Sequence, residues 1–192
     1  MIFIYYDTKI RETLRVPPNR FGEDLREVLV QIARESIEGK IDPELGIIVA
    51  VSRIDKVYRG KIVPNDGAVY YECDIDLLTY LPEINEIVEG IVIECTDFGA
   101  FCRIGTIDAL CHVSQIADDY FRYVPKNALL RGDKTKRDLV VNTRVRARII
   151  AVNVRKTEIQ VGLTMKQDAL GAYEWIEEWK QSFDKKPEEE KK

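Results

Sequence analysis

Between Gly90 and Ile116 the chain reads GIVIECTDFGAFCRIGTIDALCHVSQI, and its period-two alternation sorts small apolar residues from aromatic and basic ones. Ala100, Cys102 and Ile104 share one side of a strand, while Phe101 and Arg103 share the other. On the next strand Ala109, Cys111 and Val113 oppose Leu110 and His112. The small apolar set suits the inside of a narrow barrel. Phe101, Arg103 and His112, with Phe98 beside them, are then left in water, where an unpaired base can stack and a phosphate can be neutralised.

Strands expected at 88–96, 99–105, 107–113, 143–153 and 158–164 number five, as in an OB barrel. The stretch 117–142 interrupts them and reads as an inserted basic loop, longer than a hairpin needs. After the barrel, 166–183 carries Ala172, Trp175, Ile176 and Trp179 at helical spacing, before a charged tail at 184–192 expected to be disordered.

Ahead of the barrel the pattern differs. A strand is expected over 2–15, ended by Pro17-Pro18. From Arg20 to Glu38, Phe21, Leu25, Val28, Leu29 and Ile32 recur at helical spacing, and Gly39 can take a left-handed cap. Strands follow at Leu45–Val51, Gly60–Val63 and 69–77, the last two joined by Pro64-Asn65-Asp66-Gly67, a sequence suited to a tight turn. One helix across such strands can close a domain of about 80 residues. Leu81-Pro82-Glu83 marks the boundary, giving domains at 1–81 and 82–166 and a helix at 167–183.

A net charge of −4 over 192 residues gives no global nucleic-acid signal. The distribution does: 122–156 holds eleven Lys and Arg against two acids. Within it Arg144, Arg146 and Arg148 alternate with Val145, Ala147 and Ile149, which sets three guanidinium groups on the outer side of one strand. A charge run is most often a solvated face; the adjoining aromatics favour phosphate contact here. Cys73, Cys95, Cys102 and Cys111 show no C-x-x-C spacing and read as core residues; a disulfide across the barrel would require fitting geometry. No metal site or cofactor is expected, because the only histidine lies on the face opposite Cys111. No run of about 18 apolar residues is present to span a membrane, and MIFIYYDTKIRE lacks the basic start of a secretory signal. The expected location is the cytoplasm.

FGEDL, the EGK of 38–40, PNDGAVY, YLPEINEIVEGIV, DFGAFCRIG, IDALCHVSQIADDY, VRARIIAV, LTMKQ and LGAYEWIEE follow one another as similar segments do in the family of archaeal RNA polymerase E′ stalk subunits. That family is the counterpart of the seventh subunit of eukaryotic RNA polymerase II. The barrel alone resembles the OB-type domain of ribosomal protein S-one, which specifies only RNA binding. The resemblance implies a mostly β, α+β protein with an RNP-like front domain and an OB barrel. It further implies docking on the polymerase core, a smaller RNA polymerase stalk partner called F, and single-stranded nascent RNA as ligand. Lys61, Asn65, Asp66 and Gly67 resemble the family's core-docking loop; without the family, Asn65-Asp66-Gly67 is simply an efficient turn. Phe98, Phe101 and His112 match the family's barrel-face positions, with Arg103 between them. Asn153 stands where many such domains have Asp, and Arg155 and Lys156 lie near the position of the usual arginine. Contact with the F stalk partner is the competing use of the arginine surface.

Catalysis would need a nucleophile, an acid–base pair or metal ligands brought together. The chain has no G-x-S-x-G or Walker loop, and Asp74 and Asp76 read as solvated carboxylates on a polar strand face. No catalytic residue is expected. The rival reading is a stand-alone RNA adaptor, such as an exosome cap protein or a translation factor. Against it, the barrel here comes last, followed only by a helix and a tail.

Overall fold

A computed structural model describes residues 5–184, with side chains through residue 181. The expected strand start at 2–4 and the tail beyond 184 lie outside the described residues. The described residues divide into two compact units: 5–81 with Val154–Ile159 form one, and Pro82–Asn153 with 160–184 form the other.

The front unit is built from β1 (Tyr5–Val16), α1 (Leu25–Ile37), β2 (Ile41–Asp42), β3 (Gly46–Val57), β4 (Lys61–Ile62) and β5 (Val69–Tyr80). All pairings are antiparallel in the order β1-β5-β3-β2, with β4 hydrogen-bonded to the start of β5. Helix α1 covers one face. Val28, Leu29, Ala33 and Ile37 pack against Leu14, Val51, Ile54, Cys73, Ile75 and Leu77, all buried. Each such Val, Leu or Ile side chain contributes about 1.5–3 kcal/mol by leaving water.

The helix begins later than its periodicity suggests. Asp24 caps it, accepting from the Arg26 and Glu27 amides at 2.9 and 3.1 Å, whereas Pro18–Arg20 forms a separate single 3-10 turn. Phe21 and Leu25 are therefore exposed and leave the expected apolar stripe. Gly39, with φ +77°, takes the left-handed turn after the helix end.

On the other face of the sheet Asp74 and Asp76 are ion-paired rather than free solvated carboxylates, a correction to the sequence reading; Asp74 is buried and Asp76 partly exposed. Asp74 is buried beneath Arg11, which grips both its oxygens at 2.7 and 3.3 Å, and it accepts from the Tyr58 hydroxyl at 2.9 Å. Arg53 binds Asp76 at 2.7 Å. Alternation along β5 fixes the face of these acids but not what stands across from them. Arg11 lies directly opposite Asp74, and Arg53 opposite Asp76. Arg11 holds the Asp74 carboxyl below the usual range, and Lys9, bonded at 2.6 Å, does the same for Asp55 on β3.

The second unit holds β6 (Ile87–Cys95), β7 (Gly99–Ile104), β8 (Ile107–His112), β9 (Phe121–Val124), β10 (Leu129–Gly132), β11 (Asp138–Leu139), β12 (Arg144–Val154), β13 (Ile159–Thr164), β14 (Gly171–Ala172) and α2 (Tyr173–Asp184). The order β13-β8-β7-β6-β12, closed by β12–β13 pairing, makes the five-stranded barrel. The β8–β13 pair is parallel, whereas β6–β7, β7–β8 and β6–β12 are antiparallel. Val88, Val92, Ala100, Cys102, Ile104, Ala109, Cys111, Val145, Ala147, Ile149, Val161 and Leu163 fill it. All four cysteines are buried and unpaired. Burial pushes the Cys102 thiol up to about 12 and that of Cys73 to about 11.

Residues 117–142 are not a loop. They fold into a three-stranded antiparallel sheet, β9-β10-β11, whose Phe121, Leu129, Leu130 and Leu139 are buried. Phe121 stacks near Trp175 of α2, with ring centroids 6.0 Å apart. The strands are only two to four residues long and polar on one side, so their alternation is too brief to stand out from a charged loop. The final helix also starts later than the expected 167, because Gly171 and Ala172 first pair with Arg146 and Val145 on the outer edge of β12.

Candidate nucleic-acid interface

Two adjacent barrel strands build the aromatic face. In the β7–β8 ladder Phe101 faces Leu110, Arg103 faces Asp108 and Gly99 faces His112, all outward by strand alternation. Phe98 is 46% exposed and meets half-buried Phe101 edge-to-face, centroids 5.9 Å apart at 89°. Both rings thus keep some aromatic surface toward solvent, Phe98 more than Phe101. His112 is exposed; its Nδ1 lies 2.9 Å from the Ser114 hydroxyl and accepts from the Ser114 amide at 3.3 Å, which fixes the ring orientation. Arg103 grips Asp108 through two hydrogen bonds of 2.8 and 3.0 Å. The face therefore stacks well but offers little free positive charge, since Glu94 also neighbours Phe101 on β6.

The arginine stripe does not join this face. In a closed ring of five strands β12 is separated from β7 by β6 and from β8 by β13, so its outward side chains leave on another side. Nor are the arginines free. Arg146 binds Glu89 at 3.0 Å and the Tyr173 hydroxyl at 3.3 Å; Arg148 donates to Gln167 at 2.7 Å and to the Asn85 carbonyl at 3.2 Å. Arg144 and Arg146 lie over the Tyr173 ring at 4.9 and 5.3 Å. Tyr173 and Arg146 together hold the Glu89 carboxyl below its ordinary value. Arg144 and Arg146 fasten the start of α2 to the barrel, and Arg148 holds the segments at Gln167 and Asn85. Asn153 is exposed near the end of β12, and Arg155 and Lys156 occupy the β12–β13 turn, where Arg155 pairs with Glu158 at 3.7 Å.

At the front unit's hairpin tip, Asp66 turns inward. Its carboxylate takes both the Arg15 guanidinium and the Tyr70 hydroxyl, with Arg15 Nε at 2.9 Å. Asn65 and Gly67 both have positive φ, +71° and +54°, so the turn depends on residues that tolerate that conformation. Lys61 and Asn65 are exposed. So are Ile62 (73%) and Val63 (45%), two apolar groups that the sequence pattern marks only as part of a short strand. Only Lys61 and Ile62 pair with β5, at the margin of the sheet.

Family models match both units: "SHS2 domain found in N terminus of Rpb7p/Rpc25p/MJ0397" over residues 11–67 and "S1 RNA binding domain" over residues 81–164. The chain is 37% identical to the DNA-directed RNA polymerase subunit Rpo7 of Saccharolobus shibatae, covering 90% of this chain and 97% of that one. It is 36% identical to Rpo7 of Saccharolobus solfataricus over 92% and 99%. To the DNA-directed RNA polymerase II subunit RPB7 of Glycine max it is 27% identical over 88% and 96%. The chain belongs to the Rpo7 family of RNA polymerase subunits.

In this Rpo7-family chain much of the basic excess seen in the sequence is neutralised in place. Arg122 pairs with Asp133 at 2.6 Å, Arg131 with Asp138 at 2.6 Å, and Arg137 with Glu178 at 2.8 Å. Lys126, Lys134 and Lys136 keep their ammonium groups outside any ion pair among the described residues. The turn between β10 and β11 is gathered by Asp119, which accepts from the Thr135 amide at 2.8 Å, the Thr135 hydroxyl at 2.7 Å and the Lys134 amide at 3.1 Å. These donors hold its carboxyl far below the normal range.

The Asp66 clamp has a defined pH window. Arg15 and Tyr70 depress the carboxyl from 3.8 to about 2. A depressed folded value means the stabilisation is complete above the unfolded value and is lost as pH falls through the folded one. The protection factors of the amides at residues 65–68, which correct for the pH dependence of intrinsic exchange, are expected to hold from neutral pH to about 4 and to fall toward pH 2. Asp66→Asn should show the lowered protection factors already at neutral pH, and wild-type loss of protection already near pH 5 would rule out Asp66 as the titrating group.

Proposed function

We propose that this chain is a non-catalytic stalk subunit of a cytoplasmic, multisubunit DNA-directed RNA polymerase. In this reading it pairs with the smaller stalk partner, F, and docks on the core through the 61–67 hairpin. It holds nascent single-stranded RNA on the β7–β8 face of the barrel. The observation that carries the RNA assignment is the exposed Phe98–Phe101 pair on a closed barrel of the S1 type. Aromatic faces of this kind bind any base, which suits a transcript of arbitrary sequence. For docking, Lys61, Ile62, Val63 and Asn65 supply the contact, while Asp66 and Gly67 shape the turn that presents them. The absence of a catalytic role in this reading is supported by Asp74 and Asp76, the best-spaced acids, which are committed to Arg11, Tyr58 and Arg53.

The stand-alone adaptor reading is separated by recovery of partners. Tagged chain expressed in a cell with its own polymerase is expected to co-purify the F stalk partner and the core subunits. Ile62→Asp with Val63→Asp should lose the core while retaining the stalk partner and RNA affinity. Recovery of RNA without any polymerase subunit would overturn the stalk reading.

A further inference from the structure

The aromatic face lacks free cations, and the free cations of the insert lack aromatic neighbours on the barrel strands. One of those cations, Lys134, lines a cleft at the rim of the aromatic face. The cleft, of about 320 Å³, opens between the end of β8, the start of β9 and the β10–β11 turn, lined by Val113, Ser114, Tyr120, Phe121, Lys134 and Lys166 among others. From this juxtaposition we infer that the insert carries a second nucleotide station, in which Tyr120 stacks one base and Lys134, Lys166 and Ser114 hold its phosphate. The inference rests on the RNA reading of the barrel face and extends it.

Continuity with that face is built into the backbone. The Val113 amide donates to the Phe98 carbonyl at 2.8 Å, and Ser114 is bonded to His112 at 2.9 Å, so the cleft's rim is the edge of the stacking surface. Met165 donates to the Gln115 carbonyl at 2.8 Å, which brings Lys166 to the same rim. Tyr120 is 66% exposed, with the Arg122 guanidinium 5.8 Å from its ring centre. A cation near a ring and phosphate oxygens within reach is the combination that single-strand sites use. The volume lies at the small end of ligand sites and has room for one nucleotide.

Two acids line the cleft and must be accounted for. Asp119 is saturated: Tyr120, Lys134 and Thr135 amides and the Thr135 hydroxyl surround it, and its charge is spent on holding the turn. Asp118 is different. Its side chain is 96% exposed and reaches Lys166 at 3.3 Å, where it competes with a phosphate for the ammonium. Removing that charge while keeping the shape, as in Asp118→Asn, should tighten RNA binding.

The test compares two oligouridylates, one of about four nucleotides and one of about twelve, the shorter filling only the barrel face. Affinities of the full chain are read by fluorescence anisotropy. Tyr120→Ala is expected to weaken the longer oligomer by roughly 5- to 150-fold and leave the shorter unchanged, with Tyr120→Phe restoring the loss. Lys134→Ala should reduce the slope of log K against log salt by about 0.7 for the longer oligomer alone. Because Tyr120 is exposed, tryptophan fluorescence should report an intact fold in each variant. If Tyr120→Ala binds the longer oligomer normally while Phe101→Ala loses both, the insert lies off the RNA path and the station is wrong. Normal RNA binding with loss of a co-purifying polymerase subunit would overturn it too, making the cleft a protein contact. If Phe101→Ala changes neither oligomer but Tyr120→Ala still weakens the longer, the station stands and the barrel-face reading falls instead.

Discussion

Gly99→Ala is expected to destabilise the barrel by about 3–5 kcal/mol, combining backbone strain with overpacking. Gly99 opens β7 with φ +156°, a conformation that side chains rarely tolerate. A Cβ there would stand 2.2 Å from the Cys111 carbonyl oxygen and 2.9 Å from the His112 Cα, both backbone atoms of the paired strand. Neither can swing aside as a flexible side chain would, so the β7–β8 ladder itself must open. A domain holds only about 5–15 kcal/mol in total, so the loss takes a large share. Both tryptophans, Trp175 and Trp179, belong to the barrel unit, and their fluorescence therefore follows its unfolding in urea without interference from the front unit. An unfolding free energy within about 0.5 kcal/mol of wild type would mean that the two strands separate more freely than their register implies.

Phe101→Ala should weaken single-stranded RNA binding by about 1–3 kcal/mol, with little dependence on base sequence. Phe101 sits between the open ring of Phe98 and the outward Leu110, so its removal takes away one stacking surface and the edge-to-face support of the other. Since no charge is lost, the salt dependence of binding should be unchanged, whereas a phosphate-contacting cation would flatten it. Anisotropy titrations at several salt concentrations separate the two. A folded Phe101→Ala protein with wild-type affinity would move the RNA site off the β7–β8 face.

The longer barrel strands were legible because their buried residues fall mainly on one face, and period two is then written directly into the sequence, as in Ala100, Cys102 and Ile104. What crosses between strands was not. Asp74 reads as a solvated acid until Arg11 is found opposite it, and that pairing depends on a partner more than sixty residues away. The arginine stripe illustrates the same limit at the site. Alternation correctly sent Arg144, Arg146 and Arg148 outward, but which way outward lies is set by barrel closure, and Tyr173, the partner of Arg144 and Arg146, belongs to a later element. The three short insert strands escaped for a different reason: two to four residues carry too few alternations to exceed the noise of a charged segment.

The parallel pairing of β8 with β13 also governs how the protein emerges from the ribosome. Every strand of the front sheet has been made once Tyr80 has been added, whereas Leu110 must wait for Gly162, about fifty residues later, before its outer edge is covered. Domains generally fold as units during synthesis, and a strand edge left open in that interval is a template for pairing with another chain. The exposed interval spans the time needed to translate the whole β9–β11 insert and β12. A nascent chain stalled within that stretch would present β7–β8 with its cysteine-lined inner side uncovered, so slow codons there should favour aggregation, while equally slow codons before Tyr80 should not expose the barrel at all.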